Sequence, residues 1–184
     1  MVPVGTVKTL LTFEEFAQLP DQPGKQELVR GELIDMPPAD YKHNEIADRI
    51  YGFLKTAIEQ ARARGEGSEL GRVFHEMGYL LPGGCWLLPD VSVTHAGQRV
   101  EKYLIGAPAI AIEVISPSNT VKRIDAKAQL YFQFGAREVW RFFPKKKQVT
   151  IQVPGSVRAI AGDEVITTPL LPGLALAVKE ICGD

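Results

Sequence analysis

The chain has 184 residues, 45% of them hydrophobic and 23% charged, with a formal net charge of −1. That is enough for one domain over residues 1–184 with a sizeable core, and too apolar for intrinsic disorder. The balance also lacks the overall positive charge that marks many nucleic-acid binders. No apolar run reaches the roughly 18 residues of a membrane span. The start Met1-Val2-Pro3-Val4-Gly5 lacks the basic and apolar segments of an export signal, and Cys85 and Cys182 form no ligand-like cluster. A soluble, cytoplasmic protein is expected.

Thr12-Phe13-Glu14-Glu15 fits a capping box that opens a short helix to about Leu19. A polar segment from Pro20 to Lys25 leads into a hairpin that turns at Arg30-Gly31, and its second arm, Glu32 to Met36, stops at Pro37-Pro38. Asp40 can then cap a long helix ending near Gly65, with Ile46, Ile50, Phe53, Leu54, Ala57, Ile58 and Ala61 on one apolar face. Two strands follow, about Leu70 to Leu81 and Trp86 to Val93, joined as a hairpin by Pro82-Gly83-Gly84.

After a loop with a few charges comes the apolar strand Ala109 to Ile115, broken by Ser116-Pro117-Ser118-Asn119, then a helix from about Thr120 to Phe134 ended by Gly135. Val139 to Phe143 reads as a strand, Pro144 to Lys147 as a basic turn, and Val149 to Val153 as a further strand. Shorter strands run to Val178, with Pro172-Gly173 as a late turn. From Asp40 on, the order is helix, three strands, helix, strand, with extra strands at both ends. An α/β fold follows: a mixed sheet flanked by helices, each burying one apolar stripe.

The charge is uneven. Between Pro117 and Lys147 eight basic residues (Lys122, Arg123, Lys127, Arg137, Arg141, Lys145, Lys146, Lys147) stand against two acids, Asp125 and Glu138. Such a stretch is either a local basic face or ordinary solvated surface.

Glu113 is a carboxylate inside the apolar run Ala109 to Ile115. A strand of that kind is buried on both faces, where an ionised acid needs a partner, a set of hydrogen bonds or a metal. Asp90, after Pro89, can meet Glu113 as a sheet neighbour across the loop between them. Two carboxylates converging in this way suit Mg²⁺, which takes oxygen ligands and keeps several waters. Lys127 falls at the edge of the helix stripe formed by Val121, Ile124, Ala128, Tyr131 and Phe134, so it points toward the sheet. There an ammonium can orient water and stabilise charge on a phosphate.

Each residue also has a plainer reading: Glu113 as an acid paired with a buried base, Asp90 as a turn former, Lys127 as a snorkelling helix lysine. His43, on the first turn of the long helix, and Glu32, in the hairpin, are secondary candidates for proton transfer and metal binding. His43, His75 and His95 lack zinc-motif spacing, the serines lack a nucleophile elbow, and the glycines match no nucleotide fingerprint.

With these residues in view, the chain resembles the restriction-endonuclease-like superfamily with the PD-(D/E)xK signature, whose core order is helix, three strands, helix, strand. More specifically it is similar to the bacterial Uma family of endonuclease-like proteins, which are numerous in cyanobacteria. The matching segments are Glu27 to Leu33, His43, Leu88 to Val93, Ala107-Pro108, Glu113 to Ser118, Lys127 to Tyr131, Gly135 to Trp140 and Pro169 to Leu174.

The resemblance implies a nuclease site with Asp90 and Glu113 holding Mg²⁺, which Mn²⁺ can replace, and DNA as partner. Lys127 stands in for a lysine that the motif places two residues after the second acid, where this chain has Ile115. It also implies a homodimer or higher homo-oligomer, by analogy with duplex-cutting enzymes. The other reading that stays open is a non-catalytic nucleic-acid-binding or interaction protein on the same fold, with Glu113 neutralised by Lys127.

Overall fold

A computed structural model of the chain describes residues 10–20, 24–116 and 121–183. Most of the predicted polar link after Pro20, the breaker Pro117-Ser118-Asn119 and the predicted helix start at Thr120 lie outside the described residues.

The capping box forms as expected. The Thr12 hydroxyl accepts from the Glu15 N–H, and the Glu15 carboxylate accepts from the Thr12 N–H. Helix α1 (Phe13–Phe16) is a single turn rather than reaching Leu19, because Ala17, Gln18 and Leu19 are exposed and have no face to bury. Strands β1 (Lys25–Val29) and β2 (Glu32–Met36) make the expected hairpin. Arg30 and Gly31 both have positive φ, 51° and 81°, as a tight two-residue turn requires.

Helix α2 (Tyr41–Ala63) starts at Asp40, whose side chain accepts from the His43 N–H, and ends just before Gly65 at φ 76°. Its buried stripe is Ile46, Ala47, Ile50, Leu54, Ile58 and Ala61, while Phe53 lies off that stripe and is 41% exposed.

The predicted hairpin from Leu70 to Val93 is two nested hairpins in two sheets. The outer one is β3 (Leu70–His75) with β6 (Val91–His95), and the inner one β4 (Tyr79–Leu81) with β5 (Cys85–Leu87). The chain changes sheet at Glu76 to Gly78 and returns at Leu88 to Asp90. Pro89 helps to end pairing at the return, since it has no N–H to give a ladder.

Gly78 permits the outward crossing: a Cβ there would sit 1.9 Å from the Trp86 ring. Gly78→Ala is therefore expected to cost about 1–3 kcal/mol or more by overpacking. Gly52→Ala, in α2 with nothing near its Cβ, is expected to gain roughly 0.5–1 kcal/mol. Urea unfolding of both variants checks the pair.

The charged loop after β6 contains a short strand, β7 (Leu104–Ile105), that runs parallel to β4. Then come β8 (Ile110–Val114), α3 (Val121–Gln133), β9 (Glu138–Phe143), β10 (Gln148–Val153) and β11 (Ser156–Ala161). Strands β12 (Val165–Thr168) and β13 (Leu171–Ala177) form a separate ladder, followed by α4 (Val178–Cys182). Pro172-Gly173 lies inside β13, and the turn falls at Pro169-Leu170 instead. An exposed Pro and Gly are tolerated there because the ladder has only two strands.

Among the described residues the sheets are β2-β1-β5-β4-β7, β11-β10-β9-β8-β6-β3 and β12-β13. The six-stranded sheet pairs β8 with β9 in parallel across α3, and its other neighbours are antiparallel. The expected core order appears as α2, β3, β6, β8, α3, β9, with β4, β5 and β7 inserted.

Burial separates the two faces of this sheet. Ile110, Ile112, Val114, Trp140 and Phe142 join α2, β13 and α4 in one core. Ala111 and Val139 face the other way and pack with Ala128 and Tyr131 of α3 and with Tyr79, Leu81, Cys85 and Leu87 of the five-stranded sheet. Helix α3 thus lies between the two sheets. Its inward side is Ala128, Leu130 and Tyr131, while Val121 at the first turn is 73% exposed, contrary to the predicted stripe.

Candidate active site

Strand alternation puts Glu113 on the same face of β8 as Ala111, toward α3. Lys127 and Tyr131, one turn apart on α3, both reach it. The Tyr131 hydroxyl donates to Glu113 Oε1 at 2.9 Å, and Lys127 Nζ lies 2.8 Å from Oε1 and 3.0 Å from Oε2.

The same ammonium lies 2.7 Å from Glu27 Oε1 on β1 and donates to the Leu88 carbonyl at 3.3 Å. Glu27 is 1% exposed and also accepts from the Leu88 N–H at 2.9 Å. Lys127 therefore ties the two sheets together, with one acid from each.

Asp90 sits on the return crossing, one residue before β6. The register Val91↔Ile112 continues to place it beside Glu113. Its side chain does not fold onto its own turn. Oδ2 accepts from the Val114 N–H at 2.8 Å, and Oδ1 lies 3.1 Å from His43 Nε2 on the first turn of α2. These residues line a cavity of about 310 Å³ together with Lys25, Ile115, Arg123 and Arg141.

Arg141 is the register partner of Glu113 on β9. Its Nη1 donates to Asp125 and its Nη2 to Gln152, each at 2.8 Å, while its buried Nε has no partner among the described residues.

The electrostatics follow from crowding acids around one base. Burial pushes the Glu113 carboxyl up; the charge of Lys127 opposes this, the charges of Asp90 and Glu27 add to it, and the result is about 7. Asp90 ends below the ordinary carboxylate range. Burial alone would raise it, but the His43 hydrogen bond and charge, the Lys127 charge and the Val114 N–H outweigh that.

His43 is raised chiefly by its hydrogen bond to Asp90, against burial. Lys127 is raised too. Burial would lower it, but the charges of Glu113, Glu27 and Asp90 prevail, so it stays protonated.

Asp90, Glu113, Lys127 and His43 are thus brought to one cavity. Glu32 does not line it: it is exposed at the turn end of β2, paired in register with Val29, and borders an adjoining hollow that shares Glu27, Arg123 and Lys127 with the cavity. The acid that enters the site from that hairpin is Glu27, which the sequence does not single out. Glu27 shares one face of β1 with Val29, and nothing local to the strand reveals that Lys127 of α3 and the Leu88 N–H after β5 meet it there.

The bases of the charged stretch whose side chains are described do not form one face either. Arg123, Lys127 and Arg141 line the cavity, Arg137 pairs with Glu69, and Lys145, Lys146 and Lys147 are exposed in a turn after β9.

Among the described residues no group of three or more His, Cys, Asp and Glu side chains is arranged to hold a metal ion. Asp90 and Glu113 form a two-carboxylate set with excess negative charge. That suits a hard cation that completes its shell with water and substrate oxygen, rather than a closed protein cage. No helix among the described residues is long and apolar enough to cross a membrane.

No curated protein matches the sequence significantly. Among solved structures, the chain is similar to one described as "a putative nuclease belonging to DUF820 from Anabaena variabilis". The TM-score is 0.79 at 21% identity, over 94% of this chain and 97% of that one, which shows a shared fold. A second, described as "cryoEM structure DrdV-DNA complex", aligns over 64% of this chain and 12% of that one with a TM-score of 0.33 at 13% identity. The model of the Uma2 family, described as "Putative restriction endonuclease", matches residues 13–179. With nearly all of its length matched by that model, and the fold and segment order that the sequence leads one to expect, the chain belongs to the Uma2 family.

Proposed function

We propose that the protein is a metal-dependent endonuclease that hydrolyses DNA phosphodiester bonds in the cavity between the two sheets. The observation that carries this reading is the convergence of Asp90, just before β6, and Glu113, on β8, beside the ammonium of Lys127. Asp90 and Glu113 would hold Mg²⁺ or Mn²⁺. When bound, such a cation lowers the pKa of a water and offsets charge on the phosphate.

The chain's own groups prepare this state. His43 and the Val114 N–H fix the Asp90 carboxylate and keep it ionised. Glu113, titrating near neutrality, ionises fully only above about pH 7 or when a cation displaces its proton. Lys127 keeps its charge and can stabilise negative charge that builds on a phosphate. Glu27 holds that ammonium in place from the opposite sheet. Cutting both strands of a duplex calls for two sites, so a homodimer belongs to this reading.

A second reading has its own support. Lys127 spends its three N–H donors on Glu113, Glu27 and the Leu88 carbonyl, and Ile115 occupies the usual lysine position. That is the arrangement of a neutralised, non-catalytic site on a nucleic-acid-binding protein.

Cleavage of supercoiled plasmid with Mg²⁺ or Mn²⁺ decides between them, comparing wild type with Asp90→Ala, Glu113→Ala and Lys127→Ala. Loss of cutting in Asp90→Ala and Glu113→Ala, with Mn²⁺ binding lost by calorimetry, is the expected result. Equal cutting in all four preparations would mean contamination and end the proposal. A wild type that binds DNA without cutting it selects the second reading.

A further inference from the structure

We propose that Arg123 is the ligand for a substrate phosphate in this cavity, a role that builds on the nuclease reading above. Among the described residues five cationic side chains line the cavity: Lys25, His43, Arg123, Lys127 and Arg141. Four are committed to partners of their own. Lys25 pairs with Glu76, His43 with Asp90, and Arg141 with Asp125 and Gln152. Lys127 has its donors taken by two carboxylates and a carbonyl.

Arg123 differs. It is half-buried on α3, one turn before Lys127 on the same face, and among the described residues its guanidinium meets one hydrogen-bond acceptor, the Met36 thioether, 2.9 Å from Nη2. A thioether is a weak acceptor, and a guanidinium offers five N–H groups in a planar fork that matches two phosphate oxygens.

The acids of the cavity give such a group a use. Glu27, Asp90 and Glu113 repel a phosphodiester, and the Lys127 ammonium beside them is already shared between two of these acids. Even with a divalent cation bound, a strand entering the cavity needs a cation whose donors are uncommitted. Arg123 supplies it at the margin of the acid cluster. Met36, at the end of β2, holds the guanidinium in place by a contact that a phosphate oxygen readily outcompetes.

The test reads binding apart from cleavage. In Ca²⁺, Arg123→Gln is expected to weaken binding of a short DNA duplex by roughly ten- to a hundredfold and to lower the salt slope by about one phosphate contact. Arg123→Lys is expected to recover part of the affinity, and Mn²⁺ binding and thermal unfolding to remain as in wild type.

Separately, the Arg123 Nε–H resonance, identified by its loss in Arg123→Lys, is expected to move when inorganic phosphate is added to the wild-type protein in Mg²⁺. Unchanged duplex affinity and salt slope in Arg123→Gln overturn the assignment while leaving the nuclease reading intact. If the wild type binds no duplex, the nuclease reading fails on its own. The phosphate titration then decides, movement of the resonance supporting the subsite and a static resonance overturning it.

Discussion

Glu113→Gln is expected to reduce DNA cleavage by roughly a thousandfold or more and yet, in the metal-free protein, to raise stability above pH 7. Both effects come from the same carboxylate. Its pKa is lifted from 4.5 to about 7 chiefly by burial, and that figure already includes the attraction of Lys127, so ionising it in the folded state is a net cost.

A carboxyl with a raised folded pKa contributes stability that is fully present below the unfolded value of 4.5. The contribution is lost as pH rises through about 7. Glutamine keeps the shape and can still accept from Tyr131, but it does not titrate. The variant should therefore match wild type near pH 5 and exceed it at pH 8 by on the order of 1–3 kcal/mol in urea unfolding with chelator present. Adding Mn²⁺ should reverse the order, because the cation stabilises only a chain that binds it. A variant less stable than wild type at both pH values would show Glu113 to be a structural acid.

The energetic oddity of Glu113 is visible in sequence because β8 is apolar on both sides of it, and Asp90 is visible because a second acid before an apolar strand can be brought to the same point. Lys127 follows from helical periodicity. What sequence could not show is anything that depends on the second sheet. The stretch from Leu70 to Val93 has hairpin patterning whether it forms one ladder or two nested ones, since the alternation is the same in both.

The decision lies in a few residues. Gly78 has no Cβ to strike Trp86, and Pro89 cannot extend a ladder. With one sheet assumed, the hairpin of β1 and β2 has no reason to turn Glu27 inward, and Glu32 looks the equal of it. With two sheets closing on α3, Glu27 becomes buried and Glu32 stays at the rim. The C-terminal turn differs from the sequence expectation for a related reason. Pro172-Gly173 reads as a breaker, but a two-stranded ladder leaves backbone groups unpaired and accepts both residues.

Lys127→Met is expected to cost about 3–5 kcal/mol at pH 8, the penalty for leaving buried acids without their cation. Methionine fills nearly the same volume, so packing contributes little. The loss is electrostatic, because Glu27 and Glu113 reach one ammonium from opposite sheets and Glu27 is 1% exposed.

The sign with pH is opposite to that of an ordinary packing defect. Without the ammonium the Glu113 carboxyl rises above its value of about 7, so at pH 5 it is protonated and the cost shrinks. Combining Lys127→Met with Glu113→Gln should recover part of the loss at pH 8, giving a coupling of about 1–3 kcal/mol in a double-mutant cycle. A snorkelling lysine would instead show a small, additive and pH-independent effect. The cycle thus separates a lysine that merely covers apolar surface from one on which the joint between the two sheets depends. A site that draws its charge balance from both sheets loses stability and function together when that one residue is changed.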